Sequence, residues 1–273
     1  MPELPEVETV RAGLNAVIAK KRIKNVRLAR ANLRVPFPPH FAEELAGRRI
    51  NSVARRGKYL LFHLSGGLTL IAHLGMSGRF TLLREAPRTL APHDHVLFTF
   101  TDGDALIFND ARRFGLMTLT PTEDAEWHPL LEGLGPEPLG RSFNATYLKN
   151  KLLARRGPVK PALMDAELVV GVGNIYASEA LFVAKIDPRM PSNKAATKAQ
   201  TLAAAIRTVL KKAIASGGSS LRDFFSADGT PGYFQHNFKV YGRAGKPCTV
   251  CGQPIKSLKQ GGRTTFYCAK CQK

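Results

Sequence analysis

Cysteine, negative charge and long apolar runs are scarce in this chain of 273 residues. The four cysteines all lie in one short segment near the C-terminus, which is not the pattern of a disulfide framework spread along a secreted protein. No run of about 18 or more apolar residues is present to span a bilayer as a helix. The first residues are acidic and lack the apolar centre of a signal peptide, so we expect a cytoplasmic protein.

The shortage of acidic residues leaves a large positive charge. The chain has 40 Lys and Arg against 21 Asp and Glu, a formal net charge of +19. This excess is far more than solubility requires and indicates a polyanionic partner, with nucleic acid as the first expectation. A membrane surface is the alternative, but the basic residues do not concentrate on one amphipathic helix. We therefore expect a nucleic-acid partner and no membrane.

The first half of the sequence predicts β-structure behind a leading helix. Apolar residues at helical spacing predict that helix from about Pro5 to Lys20, and its apolar face comprises Val7, Val10, Leu14, Val17 and Ile18. Short β-branched and aromatic segments follow, separated by turn signals such as Gly66-Gly67. The predicted strands are 50–53, 59–64, 68–73, 96–100 and 105–108. Adjacent hairpins of this kind predict an antiparallel β-sandwich domain over residues 1–132.

The second half predicts helices. A Gly- and Pro-rich stretch, 133–142, is the expected linker. Helical patterns follow it at 143–154, 160–165, 174–183 and 197–215. We therefore predict a helical domain over 143–236 and an appended segment over 237–273. The fold class is α+β multidomain.

The appended segment contains the strongest single motif. The four cysteines follow the spacing C-x2-C-x16-C-x2-C, at Cys248, Cys251, Cys268 and Cys271. In a reducing compartment four such thiolates are expected to bind one zinc ion in a closed tetrahedral site, which leaves no position for water and makes the metal structural. Gly261-Gly262 is expected to turn the intervening hairpin. Arg263 would project from its tip, although spacing alone favours an ordinary solvated arginine there.

The N-terminal sequence permits a different kind of chemistry. Removal of the initiator methionine would expose the secondary amine of Pro2, and an α-amino group has a pKa of about 8 against about 10.4 for lysine. Such an amine can attack a carbonyl-like carbon and form an iminium ion, while Glu3 donates or accepts protons. Helix capping alone explains Pro5, Glu6 and Glu8, but it leaves Pro2 and Glu3 unexplained. From these residues alone, a proline that simply follows methionine is the favoured interpretation.

Five segments taken together resemble the formamidopyrimidine-DNA glycosylase family, bacterial base-excision enzymes that remove oxidised purines such as 8-oxoguanine. The segments are 2–9 (PELPEVET), 57–60 (GKYL), 73–78 (HLGMSG), 171–176 (GVGNIY) and 263–268 (RTTFYC). The resemblance covers essentially the whole chain. Leu4 is typical of this family, whereas the sister endonuclease VIII type favours glycine there and prefers oxidised pyrimidines.

The resemblance implies a role for each matching residue of the reaction centre. Pro2 would attack C1′ of the damaged nucleotide and release the base, Glu3 would transfer protons at the sugar, and Glu6 would position Glu3 or the chain end. The iminium would then drive β- and δ-elimination of the strand. Lys58 matches a proton donor in β-elimination, and Arg263 matches a residue assigned to δ-elimination and phosphate contact. Phosphate binding without proton transfer is the open alternative for both.

The resemblance also implies contacts to DNA. Met76, Arg112 and Phe114 match a trio that fills the gap left when the damaged base is taken out of the helix; burial in the core is the alternative for Met76 and Phe114. Relatives usually carry a proline before the arginines, but this chain has Ala111, and we expect a looser Arg112 loop. Further expected contacts to DNA are His93, Arg155, Lys160 and Asn174.

Three of these expectations concern local structure. Asn174 follows the glycines of 171–173 at the start of a predicted helix, where exposed N–H groups bind phosphate. The resemblance implies that this turn belongs to a helix-two-turn-helix that grips DNA, and a purely structural turn is the alternative. The spacing of His93 and His95 would suit a metal pair, but a hydrogen-bonded loop is the more common cause of such spacing. The segment 226–234 resembles a loop that covers the everted base in relatives.

Three classes of function stay open at this point. The leading hypothesis is a bifunctional DNA glycosylase and lyase, acting as a monomer on double-stranded DNA with oxidised purines, without an obligate protein partner and with zinc as its metal. The second is an enzyme of the same architecture that prefers pyrimidines. The third is a non-catalytic DNA-binding or ribosome-associated protein, which predicts that Pro2 and Glu3 are dispensable.

Overall fold

The computed structural model describes residues 2–219 and 234–273, which divide into two units. The first unit holds residues 2–132 and 217–219, and the second holds 133–216 and 234–273. The finer division of the second unit into linker, helical domain and hairpin domain stays a prediction.

The first unit consists of two antiparallel sheets and two helices. The helices are α1 (Leu4–Ile18) and α2 (Phe41–Leu45). The strands are β1 (Ile23–Leu28), β2 (Ile50–Arg56), β3 (Tyr59–Leu64), β4 (Leu68–His73), β5 (Arg79–Leu83), β6 (Asp94–Phe100), β7 (Ala105–Asn109) and β8 (Leu116–Pro121). One sheet has the order β1-β6-β7-β5 and the other β2-β3-β4-β8. All neighbouring strands run antiparallel.

The two sheets share one aromatic core, which makes them a sandwich. Along β3 the side chains alternate, so that Leu60, Phe62 and Leu64 are buried. The Phe62 ring lies 5.7 Å from that of Phe80 on the facing sheet, and Phe80 lies 5.0 Å from Phe108. The predicted antiparallel β-sandwich is therefore confirmed.

Helix α1 packs against this sandwich along strand β2. Five apolar residues of the helix are buried: Leu4, Val7, Val10, Leu14 and Ile18. The Asn15 side chain accepts the Val53 N–H at 2.8 Å, and Arg55 forms an ion pair with Glu8 at 2.9 Å. Val17, which the periodicity places on the apolar face, is 41% exposed, so that assignment was wrong. A helix advances 100° per residue, and Val17 falls beyond the edge of the buried stripe.

The second unit is helical and ends in a hairpin. Its helices are α3 (Ala145–Leu153), α4 (Val159–Leu163), α5 (Asn174–Val183), α6 (Ser192–Ala195) and α7 (Ala199–Ala215). The hairpin strands are β9 (Lys256–Gln260) and β10 (Arg263–Tyr267). Short 3-10 helices occur at Ala125–Trp127 in the first unit and at Ala196–Lys198 and Phe234–Asn237 in the second. No helix in the described ranges is long and apolar enough to cross a membrane.

A buried carboxylate fixes the chain between the helices and the hairpin. Glu179 of α5 is 2% exposed and accepts the backbone N–H groups of Lys239, Val240 and Tyr241 at 2.8–3.0 Å. Burial raises the pKa of Glu179, while these hydrogen bonds oppose that rise. Val240 also belongs to a small apolar cluster with Phe182 of the same helix. Helix α5 and the approach to the hairpin are thus joined by polar and apolar contacts.

We expect Phe62→Ala to lower the unfolding free energy of the first unit by about 3–5 kcal/mol, because it removes a ring from a close-packed aromatic core. Urea denaturation provides the measurement. Val17→Ala is the matched control on an exposed position of the same unit, and its effect should stay within about 0.5 kcal/mol. Equal effects of the two substitutions would contradict the assignment of the core.

Candidate active site and nucleic-acid interface

The N-terminal peptide is held at the start of α1 by the carboxylate of Glu6. Glu3 and Glu6 are 3% and 2% exposed, whereas Pro2 is partly exposed. One carboxylate oxygen of Glu6 accepts the Glu3 N–H at 2.9 Å. The other accepts the N–H and the hydroxyl of Ser219 at 2.8 and 2.9 Å. A β-carbon on Gly218 (φ +77°) would lie 3.1 Å from this second oxygen, so the close approach favours glycine.

Lys58 lies in the tight turn between β2 and β3. Arg56 pairs with Tyr59 across this turn, and Gly57 adopts a positive φ of 58°. Helix α1 contacts β2 first through Asn15 and then, nearer its own N-terminus, through Glu8, which lies closer to the turn. The helix therefore points its N-terminal end towards the turn that carries Lys58.

His73, at the end of β4, belongs to the same neighbourhood and was not singled out from the sequence. The centre of its ring lies 5.0 Å from that of the Tyr59 ring, and the two planes are tilted by 52°. Its pKa is lowered to about 4 by burial and by the positive charges of Lys58 and Arg34. Nδ1 accepts the Gly75 N–H at 3.0 Å, so the neutral ring carries its proton on Nε2 as a hydrogen-bond donor. The only sequence signal for a functional role of His73 was its position just before a glycine-rich turn.

The three residues of the expected intercalating trio lie on two neighbouring turns of the first unit. Met76 is half-buried in the turn after β4, and Phe114 is 45% exposed. The Arg112 guanidinium lies 5.0 Å from the centre of the Phe114 ring. Gly75 (φ +60°) packs so tightly that an added β-carbon would lie 2.3 Å from the backbone of Phe114. Phe114 is thus not a core residue.

His93 and His95 differ in environment and do not form a pair. His93 is exposed with φ +71° just before β6. His95 is 5% exposed, and its Nε2 donates to the Asp110 carbonyl at 2.9 Å. In the described part of the chain the groups of three or more possible metal ligands comprise cysteines alone. A hydrogen-bonded loop therefore accounts for His95.

In the second unit, Lys160 is buried rather than presented to solvent. It is 1% exposed, and its ammonium donates to the Asn174 side-chain oxygen at 2.5 Å and to the Thr265 hydroxyl at 2.8 Å. The Asn174 amide in turn donates to the Thr264 carbonyl at 3.0 Å. The contact between Lys160 and Thr265 joins residues 105 positions apart, so sequence periodicity did not reveal it. The start of α5 is therefore bonded to strand β10 of the hairpin.

Arg155 and Arg263 are the remaining expected DNA contacts of this unit. Arg155 forms an ion pair with Asp165 at 2.7 Å. Arg263 begins β10 and is exposed, directly after Gly261-Gly262 with φ values of +53° and +71°. Two consecutive positive φ angles fit the tight turn of a two-residue hairpin. The predicted position of Arg263 at the tip is thus what the structure has.

The four cysteines form a zinc site. Their sulfur atoms all lie within 4.8 Å of one another, with Cys251 and Cys268 3.4 Å apart and Cys248 and Cys271 3.9 Å apart. Four thiolates are a complete soft donor set for one tetrahedral zinc ion. The site can therefore bind one structural zinc ion, which would tie the hairpin to the chain that precedes it.

The fold and these sites define a basic, zinc-containing DNA-binding enzyme. The model of the formamidopyrimidine-DNA glycosylase N-terminal domain matches residues 1–117, that of its H2TH domain matches 134–225, and that of the zinc finger found in FPG and IleRS matches 245–273. The chain belongs to the formamidopyrimidine-DNA glycosylase family and is a DNA glycosylase of base excision repair.

Relatives agree over the whole length. Formamidopyrimidine-DNA glycosylases of Cereibacter sphaeroides and Ruegeria pomeroyi are each 49% identical, with 100% of both chains covered. Lactococcus lactis Fpg, in a complex with DNA containing an abasic site, has a TM-score of 0.91 at 35% identity and 99% coverage of both chains. MutM of Thermus thermophilus has a TM-score of 0.88 at 40% identity, covering 99% of this chain and 98% of that one. The expected loop 226–234 lies, apart from Phe234, outside the described residues.

His73 gives a pH prediction. Because its folded pKa of about 4 is below the unfolded value of about 6.5, the unfolded state binds the proton preferentially between these values. The stability contribution is thus present above pH 6.5 and is lost as the pH falls towards 4, by at most about 3 kcal/mol. Urea unfolding across this range should show a shallower pH dependence for His73→Gln than for wild type. The exposed control His93→Gln should follow wild type; a His73→Gln curve parallel to wild type would refute the shift.

The zinc site predicts one zinc ion per chain by metal analysis. We expect Cys268→Ser to abolish zinc binding and DNA binding, because a structural metal supplies the folding energy of a small hairpin. The urea transition of the first unit should be unchanged. Ser257→Ala, an exposed change on strand β9, is the control and should retain the metal. Full DNA affinity in the metal-free variant would show that the hairpin takes no part in binding.

Proposed function

We propose that this glycosylase excises oxidised purines, 8-oxoguanine and formamidopyrimidines, from double-stranded DNA with Pro2 as nucleophile and then cleaves the strand as a lyase. The observation that carries the proposal is the N-terminal arrangement. A partly exposed proline precedes a buried carboxylate, Glu3, and the peptide between them is fixed by Glu6. An amine with a pKa near neutrality and an adjacent proton carrier are the two groups that imine chemistry requires.

These groups and one water molecule are sufficient to balance each step. The Pro2 nitrogen forms a bond to C1′ while the bond from C1′ to the base breaks, and the base leaves with a proton. Opening of the sugar ring moves a proton to O4′ and leaves a C1′ iminium, with Glu3 as the proton carrier. Loss of a proton from C2′ expels the 3′ phosphate, and a second elimination expels the 5′ phosphate. Water then hydrolyses the iminium, and Pro2 returns as the free amine.

Lys58 and Arg263 are the proposed further catalytic residues. Lys58 lies in the turn before Tyr59, which pairs with His73; burial lowers the pKa of His73, and the positive charge of Lys58 lowers it further. Arg263 lies exposed at the tip of the zinc hairpin. We propose proton donation in β-elimination for Lys58 and phosphate contact during δ-elimination for Arg263. Both charges also suit phosphate neutralisation alone, since cations beside DNA reduce backbone repulsion.

Base eversion is the proposed task of the two exposed turns. Phe114 is suited to enter the base stack because nearly half of its ring is exposed on a turn. Arg112 stacks on that ring and retains donors for the orphaned base. Met76 would serve as the apolar wedge. A base must leave the stack before the nucleophile reaches C1′, and the vacated space favours side chains of this kind.

The remaining proposed DNA contacts are His93, Arg155, Asn174 and Lys160. His93 is exposed, and Asn174 stands at the start of α5, where backbone N–H groups and the helix dipole favour phosphate. Lys160 would act through Asn174, because its ammonium is buried against that side chain. We also propose a monomeric cytoplasmic enzyme without an obligate protein partner.

The lesion class is supported by relatives. Solved complexes of Lactococcus lactis Fpg contain DNA with Fapy-dG or an abasic site, and one contains an oxidised pyrimidine. The last favours one alternative, an enzyme that also accepts oxidised pyrimidines. Excision rates on matched duplexes with 8-oxoguanine, Fapy-dG and an oxidised pyrimidine distinguish the two, and we expect the purine lesions to be removed faster.

The proline mechanism predicts a covalent adduct on Pro2. Borohydride reduction with a duplex carrying 8-oxoguanine opposite cytosine should trap protein on DNA, and mass spectrometry should locate the bond at the N-terminal peptide. A tag fused before Pro2 should abolish trapping, because the amine becomes an amide, while the same tag after Lys273 should not.

Other outcomes discriminate between the hypotheses. An adduct formed by the N-terminally tagged protein would exclude Pro2 as the nucleophile. Intact binding without any adduct would favour a DNA-docking protein. An adduct on an abasic duplex but not on 8-oxoguanine would indicate a different lesion.

A further inference from the structure

Asp110 is a fully buried carboxylate between the two turns that carry the proposed inserting residues. It is 0% exposed. One carboxylate oxygen accepts the Ser77 hydroxyl at 2.5 Å and the Arg112 N–H at 3.3 Å. The other accepts the Gly115 N–H at 2.7 Å. The carboxylate thus contacts the turn of Met76 on one side and both ends of the Arg112 loop on the other.

Ser77 extends this network. Its hydroxyl oxygen accepts the Arg112 N–H at 3.1 Å while its proton is donated to Asp110. Directly beside these bonds, the Gly75 backbone packs against that of Phe114 without room for a side chain. The segments 75–78 and 110–115 are therefore joined by hydrogen bonds and by backbone contact, although more than 30 residues separate them.

The backbone of Asp110 anchors the network to the sheet. Its N–H donates to the His93 carbonyl at 3.0 Å, and its carbonyl accepts the His95 ring N–H at 2.9 Å. His95 is itself buried within β6. Both the side chain and the main chain of Asp110 thus have defined partners, and the loop that follows starts from a fixed point.

The chemistry of this network is specific to a carboxylate. An ionised carboxylate only accepts hydrogen bonds, and all three groups that face it here are donors. Hydrogen bonds to a charged group are shorter and stronger than neutral ones. A set of side chains that is already ordered before binding loses less conformational entropy when it enters a partner.

We propose that Asp110, together with Ser77, is a positioning residue that holds Met76, Arg112 and Phe114 as one preorganised unit for insertion into DNA. This inference rests on the proposed function, in which these three side chains fill the space of the everted base. It assigns Asp110 to lesion eversion and not to the chemistry at Pro2.

Four substitutions separate this role from a general one. Asp110→Asn keeps the shape but replaces one acceptor by an NH₂ group, which must then face a donor. Ser77→Ala removes the hydroxyl, and Ser77→Thr retains it. Asp102→Asn is the matched control, since this carboxylate accepts the Asp104 N–H in a different turn of the same unit.

The experiment compares two reactions of the full-length protein. Single-turnover excision of 8-oxoguanine from a duplex requires eversion, whereas borohydride trapping on a single-stranded abasic oligonucleotide requires only the amine. We expect Asp110→Asn and Ser77→Ala to slow excision roughly 10-fold or more, the factor that loss of a hydrogen bond to a charged group corresponds to. Trapping should be unchanged. Ser77→Thr and Asp102→Asn should match wild type in both reactions.

Phe114→Ala makes the outcomes distinguishable. If Phe114→Ala is slow in excision but Asp110→Asn and Ser77→Ala are not, the inference about Asp110 is overturned while insertion stands. If Phe114→Ala excises at the wild-type rate, the proposed insertion itself fails. If Ser77→Ala and Asp110→Asn lose excision and trapping to the same extent, Asp110 supports the fold in general and the inference is likewise rejected.

Discussion

The arrangement at the N-terminus depends on one carboxylate, that of Glu6. A chain end is attached to the protein through a single peptide bond, so its position is fixed only if neighbouring backbone groups are held. Glu6 accepts the N–H of Glu3, the first peptide group after Pro2. Its second oxygen binds both donors of Ser219, which lies more than 200 positions along the chain. One buried side chain thus fixes the proposed nucleophile and a distant backbone segment together, and proton transfer by Glu3 presupposes that geometry.

The second unit uses buried charges in the same way. A charged group removed from water is tolerated only when hydrogen bonds replace its hydration. Lys160 meets this condition with Asn174 and Thr265, and Glu179 meets it with three consecutive backbone N–H groups. Lys160 links Asn174 of α5 to Thr265 of β10. Glu179 of α5 binds the backbone of residues 239–241, which precede the hairpin. The zinc ion closes the hairpin locally, and these two charged side chains determine how the hairpin is placed on the helix.

Local patterns predicted the parts of the structure that local chemistry determines. The cysteine spacing predicted the zinc site, and β-branched and aromatic segments between turn signals predicted strands such as β3. Strands β1, β5 and β8 were not predicted from the sequence, and their burial does not alternate regularly. The burial of Lys160 was missed for a different reason. A basic residue is expected at the surface, and the hydrogen bond that Lys160 donates to Thr265 joins residues 105 positions apart. Contacts of that range come from the assembled fold and leave no periodic signal in the sequence.

The Arg112 loop shows how such a long-range contact replaces a local constraint. A proline before the arginines would restrict the unfolded chain and so favour the folded loop entropically. Ala111 does not restrict the chain, and Arg113 adopts a positive φ of 55° that costs conformational energy in a residue other than glycine. The loop is nevertheless held, because the Asp110 carboxylate binds N–H groups at both of its ends. A proline would favour the ordered loop by restricting the unfolded chain. Here hydrogen bonds in the folded state favour it instead. The expectation of a looser loop followed from the missing proline and did not include the buried carboxylate beside it.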